Sequence, residues 1–310
     1  MLATIATVAG SIEDVEESAA LQRRNACARA AAARADHGGE SSDDDDLDLA
    51  EDDPATGTIL TVRTLPVAAS IGGKLWDASL LMGAWLTSPE AKQFFPPAAA
   101  PGRSPRRLLE LGAGLGVVGL ACARAFPSFH TTLSDYDSAV LDNLHENIRL
   151  NAPTPELQQQ APEQQLCSVA CVDFRDFATA GFLHPLSGQF DMLIAADVVY
   201  EQSHCALAQV CLSMLAAPDP PAGTAAATPA TLATPATPAA TWQPSAVFML
   251  PDSRPRLGEF VAALQSAGLD CRIERAQPSA EMVRRLRRTH EGWGAGDASF
   301  SLYVVTRRGA

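Results

Sequence analysis

The chain has 310 residues, 47% of them hydrophobic, enough for a sizeable core in one large domain or two small ones. Its net charge of −13 is lopsided: residues 1–53 hold 14 acids and 4 arginines, a balance of −10, and the remainder holds 22 acids and 19 basic residues, or −3. That near-neutral remainder offers no phosphate-tracking surface, and no apolar run reaches transmembrane length, so the composition points to a soluble protein with neither nucleic acid nor membrane as partner.

From the amino end, the acidic block Asp43–Asp46, with Asp48, Glu51, Asp52 and Asp53, repels itself, and residues 1–53 read as a disordered acidic tail. Met1–Gly10 has no basic segment before it and makes a poor signal peptide; the acids Glu13, Asp14, Glu16 and Glu17 argue against an organelle transit peptide over 21–35. Residues 54–310 read as one folded domain. Gly57–Thr64 alternates weakly, as a strand or an arm. Gly72–Leu86 is predicted to be a helix entered from a glycine turn, and Pro96–Pro105 a linker.

An α/β alternation follows. Strands are predicted at Arg107–Leu111, His130–Ser134, Ser168–Phe174, Phe190–Val199, Ala246–Leu250, Asp270–Arg275 and Phe300–Thr306. Helices are predicted at Val117–Phe126, Ser138–Asn151, His204–Leu215, Arg256–Ala267 and Ala280–Thr289; Asp137 or Ser138 caps the second, whose Leu141, Leu144 and Ile148 recur at helical spacing. Residues 152–165 read as loop, and the Ala/Thr/Pro-rich stretch 218–241 as a disordered insertion. The seven cysteines form no C-x-x-C pair, and Cys167-x-x-x-Cys171 lacks a second pair, so reduced thiols in a cytoplasmic protein without a metal site are expected.

The chemistry gathers at Arg107–Arg124, where an apolar strand runs through a glycine turn into an apolar helix. Gly112, Gly114 and Gly116 can take φ > 0 and let a ligand touch bare backbone at the carboxyl end of a strand, where open α/β sheets bind nucleotides. Glu110 is a carboxylate in an otherwise apolar strand end, costly unless partnered, and is expected, with Gly116, among the cofactor-binding residues. Asp135 ends the next strand, 19 residues after Gly116, where it can accept both ribose hydroxyls of NAD or of S-adenosylmethionine. Asp173 and Phe174 end the third strand, a carboxylate for an adenine amino group and a ring for its face. Asp197 and Tyr200 follow the fourth. The absence of a second mononucleotide half and of a hydride-transfer acid favours the methyl donor over NAD.

On Gly73-Lys-Leu-Trp76-Asp-Ala, Leu109-Glu-Leu-Gly-Ala-Gly-Leu-Gly-Val-Val-Gly119, Leu133-Ser-Asp135, Val172-Asp-Phe174 and Asp197-Val-Val-Tyr200, the chain resembles methyltransferase family 16, the seven-strand protein-lysine methyltransferase-like family. The resemblance covers about residues 60–310 outside the inserted loops. It implies a Rossmann-like, mostly parallel seven-stranded sheet with its last strand antiparallel and helices on both faces. It also implies that Trp76, Gly112, Ala113, Gly114, Asp135, Phe174 and Ala196 touch S-adenosylmethionine. Asp197 and Tyr200 would line the channel for a protein lysine, Asp197 holding the incoming ammonium. Phe174 departs from the tryptophan that many members carry. A monomer is expected. A non-catalytic S-adenosylmethionine-binding interaction protein and an NAD-type oxidoreductase are the alternatives.

Overall fold

The computed structural model describes residues 2–6, 12–15, 59–65, 70–86, 88–95, 105–152, 167–200, 204–217, 243–276 and 299–308, the first two stretches as backbone only. The acidic block, the 218–241 insertion and the predicted helix 280–289 lie outside the described residues.

The strands are β1 (Leu2–Ala6), β2 (Ile12–Val15), β3 (Ile59–Arg63), β4 (Arg106–Glu110), β5 (Phe129–Asp135), β6 (Cys167–Cys171), β7 (Met192–Ala196), β8 (Ser245–Pro251), β9 (Leu269–Ala276) and β10 (Phe300–Arg307). The helices are α1 (Asp77–Leu86), α2 (Val117–Ala125), α3 (Ser138–Leu150), α4 (His204–Met214) and α5 (Leu257–Ser266). Seven strands make one sheet in the order β6-β5-β4-β7-β8-β10-β9. β6, β5, β4, β7 and β8 are joined by parallel ladders, and β10 runs antiparallel to both β8 and β9. The expected sheet is therefore present, with the last strand inserted against the direction of the other six.

Strand alternation sorts the core into two layers. Leu108, Met192, Ile194, Val247 and Met249 pack with α1, α2 and α3 on one face. Their neighbours Leu109, Leu193, Ala195, Ala246 and Phe248 pack with α4 and α5 on the other. Because both faces are covered, the central strands carry apolar residues without a break. The chain turns from β4 to β5 and β6 on one side and from β7 to β8 on the other, so the carboxyl ends of β4 and β7 flank a topological switch point.

Several predicted boundaries move. The strand predicted over Phe190–Val199 stops at Ala196, because Asp197 takes φ +53°. The third strand ends at Cys171, and Phe174 begins a short 3₁₀ turn to Ala178. The helix predicted over Gly72–Leu86 is a 3₁₀ turn at Ile71–Gly73, an extended Lys74–Trp76 and then α1. Gly73 blocks a continuous helix: its carbonyl accepts from Leu65 N–H at 3.0 Å, and a Cβ there would lie 2.6 Å from Leu65 Cβ.

The expectation of a structureless stretch over 1–53 needs correction at two places. β1 pairs antiparallel with β3 from Leu2↔Arg63 to Ala6↔Ile59, and with β2 from Leu2↔Val15 to Ile5↔Ile12. β1 carries no acid, and β2 holds Glu13 and Asp14 between the β-branched Ile12 and Val15, whereas the long acidic block lies beyond residue 42. β3 in turn is held to α3 by asparagines. Asn151 Oδ1 accepts from Thr61 N–H at 3.0 Å and its amide donates to Thr61 O at 2.6 Å. Asn147 Oδ1 accepts from Arg63 N–H at 2.7 Å, and the Asn143 amide donates to Arg63 O at 2.8 Å.

Candidate active site

The turn after β4 is a folding requirement before it is a ligand site. Gly112, Gly114 and Gly116 have φ of +61°, +53° and +78°. A Cβ would stand 2.9 Å from Val198 Cγ1 at Gly112, 3.0 Å from Gly72 O at Gly114 and 2.5 Å from Leu133 Cδ2 at Gly116. The turn is closed by Ala113 N–H on Ser134 O (2.7 Å) and Gly116 N–H on Ala113 O (2.7 Å). Asp135, 7% exposed, accepts from three backbone amides: Gly114 at 3.1 Å through one oxygen, Tyr136 at 2.8 Å and Asp137 at 3.2 Å through the other. Burial pushes its carboxyl above the ordinary carboxylate range, and these amide bonds oppose the shift. A carboxylate has about four acceptor sites, so one remains for a ligand hydroxyl, where the sequence suggested room for both ribose hydroxyls.

A cavity of about 430 Å³ opens over this turn at the switch point. Its floor is Gly112, Ala113, Gly114 and Asp135; Phe174 and Asp173 form one side, and Ala196, Asp197 and Tyr200 the other. Trp76 closes it from the upstream segment, its indole N–H donating to Ile71 O at 3.1 Å. Two residues expected to bind the cofactor, Glu110 and Gly116, are not in its wall. Glu110, 2% exposed, points beneath the turn and accepts from Gly119 N–H at 2.8 Å, where a Gly119 Cβ would come within 2.5 Å of the carboxylate. Desolvation pushes the Glu110 carboxyl from 4.5 up to about 8. The partner demanded by a carboxyl in an apolar strand is thus the first turn of α2.

Two carboxylates of the wall are already engaged. Asp197 accepts from Arg254 through both oxygens, Nε at 2.7 Å and Nη2 at 2.5 Å, with its side chain only 8% exposed. Hydrogen bonding to Asp197 raises the Arg254 guanidinium above its usual range, and the Tyr200 phenol is a weaker electrostatic neighbour. Asp173 caps the 3₁₀ turn through Arg175 N–H (2.9 Å) and receives the Arg175 guanidinium on both oxygens, which holds its carboxyl below the usual range. The Arg175 guanidinium lies 4.9 Å over the Tyr136 ring.

Residue-by-residue reading of the sequence did not reach Arg254, Arg175 or the asparagines. Arg254 was accessible in principle, as a cation at the carboxyl end of the strand beside β7. Asn143, Asn147 and Asn151 carried a clearer signal, three amides four residues apart on one predicted helix. Asn143 and Asn147 are 2% and 0% exposed, and Asn147 also donates to Leu115 O in the glycine turn at 2.9 Å.

A family model described as lysine methyltransferase matches residues 56–226 of the chain. The protein-lysine N-methyltransferase EEF2KMT of Homo sapiens is 35% identical over 151 residues, 47% of this chain and 42% of that one. The Mus musculus protein of the same name is 35% identical over 127 residues, 40% of this chain and 34% of that one. The matched region therefore spans less than half the length of these curated relatives. Among solved structures, M. jannaschii TYW2 in complex with AdoMet is similar with a TM-score of 0.41 at 9% identity, over 80% of this chain and 80% of that one.

Proposed function

The chain belongs to the lysine methyltransferase family, and from that premise we propose that it binds S-adenosylmethionine in the cavity over the glycine turn and methylates a lysine side chain of a protein. The observation that carries the reading is Asp135. It is a buried carboxylate with acceptor capacity left over, set at the switch point beside the exposed backbone of Gly112–Gly114. Its free acceptor site suits a ribose hydroxyl, and Val172 and Phe174 offer an apolar face to a purine.

The methyl donor supplies an electrophilic carbon whose leaving group is a neutral thioether, so the chain needs no acid to protonate it. What the chain must do is align a nucleophile and exclude water, and alignment alone is worth about 7–11 kcal/mol of barrier. Tyr200 at the rim orients the acceptor amine. Arg254 alters the role first expected for Asp197: the pair carries no net charge, so Asp197 receives the amine as a hydrogen-bond acceptor of fixed position rather than as a free anion. An ordinary lysine titrates near 10.4, and entry into a dry channel lowers that value and releases the proton to water. A cytoplasmic, monomeric enzyme without nucleic-acid or membrane partners belongs to the same proposal. Six free thiols among the described residues are in keeping with a reducing compartment, and no described helix is long and apolar enough to cross a membrane.

The test is radiolabelled methyl transfer from S-adenosylmethionine into cell-lysate proteins by the full chain and by its Asp197→Asn and Tyr200→Phe variants. One or a few labelled bands that fade with either variant are expected, with the label recovered on lysine. Full activity in both variants would remove these residues from the channel, and failure of the unaltered chain to bind the donor or its demethylated product would remove the proposal.

A further inference from the structure

The cavity has an unmatched positive charge at its upstream wall. Three cationic side chains line it. Arg175 is taken up by Asp173 and Arg254 by Asp197, each through both carboxylate oxygens. Lys74 has no carboxylate partner among the described residues; its ammonium stands 4.9 Å from the centroid of the Trp76 ring. The Trp76 ring is fixed by its bond to Ile71 O, so the lysine rests on an oriented face and not on a loose one. Lys74 follows Gly72, which packs against the Asp135–Gly114 contact: a Cβ on Gly72 would lie 3.4 Å from Gly114 Cα and 3.6 Å from Asp135 Oδ2. The lysine therefore stands just beyond the point where the proposed ribose site ends.

A ligand whose sugar is held by Asp135 and whose base lies toward Phe174 sends its remaining arm the other way, along Gly112–Gly114 toward Lys74 and Trp76. In S-adenosylmethionine that arm is an amino acid, and its carboxylate is the one anionic group of the molecule. We propose that Lys74 is the counter-ion for this carboxylate, leaving the Trp76 face to bind it. The site is thus specific for the amino-acid end of the cofactor and indifferent to its adenosine end. The inference rests on the cofactor reading above and goes beyond it by assigning a residue that neither the glycine motif nor the ribose carboxylate identifies.

The experiment is calorimetric titration of the full chain and of Lys74→Met and Lys74→Arg variants with two uncharged-sulfur probes. S-adenosylhomocysteine keeps the amino-acid carboxylate, and 5′-methylthioadenosine lacks it. Lys74 is exposed, and Met preserves its apolar stem, so the variants keep the fold. With an exposed charge-assisted bond at stake, Lys74→Met is expected to bind S-adenosylhomocysteine about tenfold more weakly, with 5′-methylthioadenosine unchanged and most of the loss restored by Lys74→Arg. Equal losses for both probes would overturn the assignment, since Lys74 would then merely support the wall. Unchanged affinity of Lys74→Met for S-adenosylhomocysteine would overturn it too, while leaving the cofactor reading intact. An unaltered chain that binds neither probe would overturn both.

Discussion

Glu110→Gln isolates the electrostatics beneath the glycine turn. Glu110 is fully enclosed, its carboxyl is pushed from 4.5 up to about 8 by desolvation, and Gly119 N–H is its hydrogen-bond donor. The unfolded chain sheds this proton near pH 4.5 and the folded chain only near pH 8. Below pH 4.5 both states are protonated and the site's contribution is at its best. Between the two values the folded state holds one more proton than the unfolded state, so stability declines as pH rises, by about 1.4 kcal/mol per pH unit. Above pH 8 the accumulated loss reaches about 5 kcal/mol, an upper bound for a carboxylate that keeps one amide bond. Glutamine has the same shape, keeps an oxygen for Gly119 N–H and does not ionise. Its extra N–H₂ costs about 1–3 kcal/mol at every pH, a constant offset. Urea unfolding of both proteins from pH 5 to pH 9 is the assay, and the difference between them is the quantity to plot. It is expected to swing by several kcal/mol in favour of the glutamine variant as pH rises, with other titrating groups cancelling. A difference that stays flat from pH 5 to 9 would refute the reasoning, because Glu110 would then be ionised in the folded protein throughout.

Two further effects follow from the geometry. Gly112→Ala and Gly114→Ala each force a Cβ into a left-handed backbone at a cost of about 1–2 kcal/mol before the contacts at 2.9 and 3.0 Å are counted. Both are expected to weaken S-adenosylhomocysteine binding by more than tenfold in calorimetry, whereas Gly258→Ala, in α5 with nothing within 4 Å of its Cβ, should leave binding intact and unfolding unchanged or slightly later. Asn147→Ala removes the acceptor for Arg63 N–H and the donor to Leu115 O from a fully buried position, and should cost about 2–4 kcal/mol in urea unfolding and lower cofactor affinity as well; a loss under 1 kcal/mol would show that β3 is held by other means.

The large sheet was legible from the sequence because each strand is an apolar run bounded by turn residues, and its parallel sense follows from the intervening helices. Strand ends were less legible. Phe190–Val199 is apolar throughout, and only the left-handed backbone at Asp197 marks where the ladder stops. β1 was hidden by averaging charge over 53 residues, which let a distant acidic block speak for an uncharged β-branched segment, and β2 by its own Glu13 and Asp14. Within the site, the sequence brought forward the residues whose roles are set by neighbours along the chain: the glycines, Asp135, Phe174. What it could not supply was the partner of each carboxylate. Arg175 lies two residues from Asp173, but Arg254 lies 57 from Asp197 and Gly119 nine from Glu110, and only the packed sheet makes them pairs.

Those partners change what a variant at Asp197 means. The residue has φ +53° and is the only non-glycine with positive φ among the described residues. Such a backbone costs an ordinary side chain about 1–2 kcal/mol, and Asn and Asp bear it best because a short polar group can bond locally. Asp197→Ala therefore mixes three losses: the strain appears in full, Arg254 loses its partner, and the acceptor of the incoming amine disappears. A fall in activity there would say little about catalysis. Asp197→Asn keeps the backbone preference and one oxygen for Arg254, and removes the charge together with one of the two acceptors that Arg254 uses. With a pair that is already neutral, the charge is not what draws a lysine in; its loss unbalances Arg254 and leaves a net positive wall facing a cationic substrate. The substitution is accordingly expected to raise the KM for a protein substrate more than it lowers kcat, and the midpoint of thermal unfolding should move little. Steady-state kinetics at low and high salt separates this from a direct role in the chemical step. Screening should narrow the KM difference if repulsion by Arg254 is the cause, whereas a kcat defect indifferent to salt would assign Asp197 to the proton itself.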